Sequence, residues 1–80
     1  MNLIRAGGLM LSPARAVRVR DLLRALSSFT RSDAQRMIAD EMGWEHTQGR
    51  VENLTRAFLA QLARRGLAQW QPTKQLWVMK

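Results

Sequence analysis

The chain has 80 residues, 46% apolar and 24% charged, enough for one small folded domain and at odds with disorder throughout. Thirteen Lys plus Arg stand against six Asp plus Glu, a net charge of +7 with a sequence pI of about 11.8, which favours phosphate-bearing or acidic partners. The absence of Cys excludes disulfides and Cys-based zinc sites, and no apolar run approaches the length of a membrane span.

Residues 1–11 read as an N-terminal arm, either flexible or adding a strand or helical turn over the core. Gly7-Gly8 argues against a continuous helix there. Leu9, Met10 and Leu11 are too apolar to stand solvated, so they dock on the domain or meet a second chain. The segment has one positive charge, a broken apolar stretch and no clear cleavage site, so a secretory signal is not expected and the chain is placed in the cytoplasm.

The domain proper is expected over residues 12–80. Its first helix begins at Ser12-Pro13, a capping residue followed by a first-turn proline, and ends near Ser27-Ser28. Val19, Leu22, Leu23, Leu26 and Phe29 recur at helical spacing and form its apolar stripe. The second helix begins at Ser32, with Gln35 completing a capping box and Asp33 suiting the positive end of the helix dipole. Ala34, Met37, Ile38 and Met42 give it an apolar face, and Gly43 supplies a left-handed stop. Trp44 then folds back between the helices. The third helix follows Glu45-His46-Thr47-Gln48-Gly49 and runs to about Arg65. Val51, Leu54, Phe58 and Leu62, flanked by Leu59, oppose Asn53, Arg56, Ala60 and Arg64, with Arg50 at the edge; it is the most amphipathic segment of the chain. After Gly66 the period changes to that of two short strands, Leu67–Trp70 and Gln75–Met79, joined by the turn Gln71-Pro72-Thr73-Lys74. A two-stranded ribbon must pack on the helices, and Trp70 and Trp77 read as its anchors. All three Trp residues read as core rather than as base-stacking platforms.

Chemistry is sparse. Asp40 and Glu41 are adjacent and point in different directions on a helix, so they form no acid–base pair. His46 stands alone and reads as a surface or turn residue. There is no phosphate-binding glycine loop and no Ser/His/Asp set with local support. The chain is therefore expected not to be an enzyme and to need no metal or cofactor.

Three stretches carry a resemblance: Ile38-Ala39-Asp40-Glu41-Met42-Gly43, Val51 to Leu62, and Arg64-Arg65-Gly66-Leu67-Ala68. Together they resemble the winged helix-turn-helix family of DNA-binding domains over roughly residues 15–79. The resemblance implies a mainly α fold of three helices with a small β-hairpin. One departure is the segment from Gly43 to the third helix, longer than the tight turn usual in such regulators and carrying Glu45. The Trp77 end also resembles winged-helix domains that grip left-handed duplexes. Those need an Asn and a Tyr where Arg56 and Ala60 stand, so that activity is not carried over.

The family likeness implies that the third helix enters the major groove of double-stranded DNA. Gln48, Arg50, Asn53 and Arg56 are then the candidates for base edges or phosphates, since Arg matches guanine and Asn matches adenine. Lys74 at the hairpin tip would meet a phosphate or the minor groove. Arg15, Arg18 and Arg36, with Arg31 beside them, would hold backbone phosphates and fix position without reading sequence. The expected role is a small transcriptional regulator acting by site occupancy, with a homodimer among the assemblies considered. The alternative is a protein-interaction adaptor or inhibitor that docks on an acidic protein.

Overall fold

The computed structural model describes residues 3–6, 8–44 and 49–80. In chain order the elements are β1 (Ile4–Ala6), β2 (Leu9–Leu11), α1 (Pro13–Leu26), β3 (Ser28–Phe29), α2 (Arg31–Met42), α3 (Gly49–Arg64), β4 (Ala68–Gln71) and β5 (Leu76–Met79). None of the described helices is long and apolar enough to cross a membrane.

The Ser12 hydroxyl accepts from the Arg15 backbone N–H at 3.2 Å and Pro13 opens α1, as the sequence indicates. The buried face of α1 is Ala16, Val19 and Leu23 alone. Leu22 and Leu26 are exposed, and Phe29 is not helical. The apolar stripe is thus narrower than the spacing suggests: Leu22 and Leu26 are helical but face solvent, and Phe29 lies beyond the helix end at Leu26. Ser27 turns the chain with φ 68° and ψ −48° and delivers Phe29 to the core from a strand.

That early exit also moves the start of α2. Thr30, not Ser32, is its N-cap: the Thr30 hydroxyl accepts from the Asp33 N–H at 3.1 Å, and the Asp33 carboxylate accepts from the Thr30 N–H at 2.9 Å. Ser32 lies inside the first turn, where it caps nothing. Ala34, Ile38 and Ala39 are buried, with Met37 and Met42 packed at the margin. Gly43 closes α2 in the left-handed region (φ 72°), which lets the Trp44 N–H reach back to the Ala39 carbonyl at 2.9 Å. Trp44 is half-buried against the core, where the sequence placed it.

Along α3, Val51, Leu54, Thr55, Phe58, Leu59 and Leu62 are buried. Thr55 is the one polar residue of the described core. Its hydroxyl donates to the Val51 carbonyl at 2.7 Å, which satisfies it without a partner from another element.

The C-terminal ribbon is three-stranded rather than two-stranded. β3 adds to the β4–β5 hairpin in the antiparallel order β3-β5-β4, with Phe29 opposite Trp77 and Trp70 opposite Trp77. A two-residue strand is too short to leave a periodic signal. β1 and β2 form a separate antiparallel hairpin that packs on α3. Its paired residues Ile4 and Leu11 are both buried in the common core. The N-terminal segment is therefore a wall of the domain.

Candidate nucleic-acid interface

The polar side of α3 faces solvent. Arg50, Asn53, Arg56, Ala60 and Arg64 are all exposed, while the aliphatic side is sealed against the rest of the fold. One carboxylate belongs to this helix: Glu52 accepts from Arg56 Nη2 at 3.0 Å, one turn away. The Arg56 side chain remains 61% exposed, so this pair contributes at most about 1 kcal/mol and can be exchanged for a phosphate contact. Gln48 lies outside the described residues.

Lys74 sits exposed in the loop between β4 and β5. Its N–H donates to the Gln71 carbonyl at 3.2 Å, and the Gln75 N–H donates to the Pro72 carbonyl at 3.3 Å. Gln75 takes a positive φ of 52° to rejoin the strand. Register pairing of Gln71 with Leu76 fixes the loop as residues 72–75, so the proline turn lies where the sequence indicates.

The remaining arginines divide. Arg18 grips Glu41 through Nη2 at 2.6 Å and Nε at 2.8 Å, and Arg15 Nε stands 4.0 Å from the same oxygen. Arg15 Nη1 also lies 3.2 Å from the Met42 sulfur. These two side chains clamp α1 to α2, a structural task that charge alone does not reveal. Arg36 is exposed on α2.

A cleft of about 860 Å³ opens where α3, the start of α2 and the β4–β5 hairpin meet. Its walls include Arg31, Arg56, Ala60, Trp70, Gln75 and Trp77. Of the arginines proposed from sequence as DNA contacts, Arg31 and Arg56 line it. Three rings run across the sheet beside it. Phe29 and Trp77 are stacked with centroids 6.5 Å apart, and Trp77 and Trp70 are tilted at 5.7 Å. Exposure rises along this row, from 1% at Phe29 to 43% at Trp70. Trp70 is accordingly not a core anchor. Ala68 and Trp70 share one face of β4, and Ala68 fills the covered end, leaving the larger ring nearer the loop and over the cleft. The sequence signal for this was available: of the two strand tryptophans, Trp70 has Gln on both sides, whereas Trp77 has Leu and Val.

Among the described residues, no group of three or more His, Cys, Asp or Glu side chains could hold a metal ion. No protein-family model, curated protein or solved structure matches the chain.

Proposed function

We propose that this chain is a small winged-helix DNA-binding protein, a transcriptional regulator that acts by occupying its site. The observation that carries the proposal is the solvent-facing side of α3, with Arg50, Asn53 and Arg56 exposed and the opposite side buried. The element order α1-β3-α2-α3-β4-β5, with β5 between β3 and β4, supports it further. In this proposal α3 enters the major groove, with Gln48, Arg50, Asn53 and Arg56 toward base edges and phosphates. Lys74 meets a flanking phosphate or the minor groove. Arg36 holds a backbone phosphate, and Arg15 and Arg18 do so only where Glu41 releases them.

The test is a salt titration of binding to random-sequence duplex, followed by selection of preferred duplexes from a random pool. Affinity is expected to fall steeply with salt, because each neutralised phosphate releases counterion with a log–log slope of about −0.9. Arg50→Ala and Arg56→Ala are each expected to flatten that slope by about one contact. Flat salt dependence, or no binding at low salt, ends the proposal.

A second function is favoured by a separate observation. Met10, Leu22 and Leu26 are large apolar side chains left about half-exposed. An adaptor that docks on an acidic protein would use such surface beside its positive charge. Association that survives nuclease treatment and is indifferent to Arg50→Ala plus Arg56→Ala would select this function over the first.

A further inference from the structure

The cleft beside α3 combines two features that a groove-reading helix does not need. It holds the exposed indole of Trp70, continuous with the part-buried Trp77 and the buried Phe29. Two arginines, Arg31 and Arg56, are among its lining residues, which include no carboxylate; Arg56 Nη2 donates to Glu52 at 3.0 Å, an exposed pair that a phosphate can replace. Ala60 keeps the α3 wall low, so the ring is reached from outside. The cleft is wide and open to solvent, with room for a planar group laid against the ring.

The ligand that matches is planar, aromatic and anionic. An aromatic ring face favours stacking with another π-system, and arginine suits phosphate oxygens through its forked donors. Paired DNA cannot supply the ring, because bases inside a duplex show only their edges in the grooves. An unpaired nucleotide supplies both ring and phosphate. We propose that this cleft receives one unpaired nucleotide of a DNA strand, its base against Trp70 and its phosphate against Arg31 and Arg56. The proposal rests on the DNA-binding function above and narrows the substrate to DNA that carries an unpaired base, such as a strand end, beside duplex.

The experiment compares a blunt duplex with the same duplex bearing a short single-stranded overhang, by fluorescence anisotropy at fixed low salt. Wild-type protein is expected to prefer the overhang by about fivefold or more, the effect of one stacked base. Trp70→Ala is expected to bring the two affinities within about twofold of each other while leaving blunt-duplex binding unchanged, and Trp70→Phe to restore part of the preference. Ala60→Leu narrows the cleft on an exposed helical site at little conformational cost, and is expected to reduce the preference with Trp70 intact. It also decides the matter should Trp70→Ala not fold, as judged by circular dichroism.

Equal wild-type affinities for the two DNAs would overturn the cleft proposal and leave duplex binding standing. Binding to neither at low salt would remove both. A preference that persists in Trp70→Ala or Ala60→Leu, or a free nucleoside monophosphate that competes as well as the overhang, would also overturn it. The last result would make the cleft a small-molecule site.

Discussion

Among the described residues, Ser27 and Gln75 are the non-glycines with positive φ, and Ser27 is the one at a helix end. Its φ of 68° with ψ of −48° lies in the region of the rarer γ-turn, strained for any residue with a Cβ. The surroundings hold it there from both sides. Its N–H donates to the Leu23 and Arg24 carbonyls at 3.2 Å, and its carbonyl accepts from the Met79 N–H at 2.9 Å. Ser27→Gly is therefore expected to raise stability by about 0.5–1 kcal/mol, since relieved strain exceeds the added entropy of the unfolded chain. Urea denaturation measures this directly, and a loss of stability would show that the serine is not strained. Gln61 offers a second residue-scale test. Its Oε1 is buried with no hydrogen-bond partner among the described residues. Gln61→Met is expected to leave stability unchanged or raise it by up to about 1 kcal/mol, as an orphaned acceptor is removed. A thermal melt with a clearly lower midpoint would contradict that.

At the scale of elements, the contact between α1 and α2 combines apolar packing with one carboxylate serving two arginines. Glu41 is 19% exposed, and Arg15 and Arg18 reach it from one helix turn of α1. Because Arg18 is 61% exposed, solvent and salt screen the pair, and Glu41→Gln is expected to cost no more than about 1 kcal/mol. The cost should shrink as salt rises, which melts at low and high ionic strength would check. A salt-independent loss would assign the effect to packing. The same variant frees two guanidinium groups. If α1 approaches DNA, Glu41→Gln should steepen the salt dependence of duplex binding; an unchanged slope would place Arg15 and Arg18 away from the phosphates. The start of α2 is fixed by the reciprocal Thr30–Asp33 pair. Thr30→Ala is expected to lower stability by about 1 kcal/mol, whereas Ser32→Ala should change it little.

At the scale of the whole molecule, the N-terminal hairpin completes the core. Leu11 is fully buried and Ile4 nearly so, in the same cluster as Val51, Leu54 and Phe58 of α3. Leu11→Ala is expected to cost about 2–4 kcal/mol in urea denaturation, a large share of the stability of a domain this small. A loss under 1 kcal/mol would mean that the hairpin is only loosely attached. The sequence by itself determined the three helices, the stops at Gly43 and Gly66, the buried and solvent-facing sides of α3 and the place of the proline turn. Each follows from local spacing or from a backbone angle that one residue type favours. Tertiary structure decided the rest. It set the third strand at Ser28–Phe29, the cap at Thr30, the engagement of Arg15 and Arg18 by Glu41, and the exposure of Trp70 beside the cleft. These depend on which residues distant in sequence meet, and neither periodicity nor composition records that meeting.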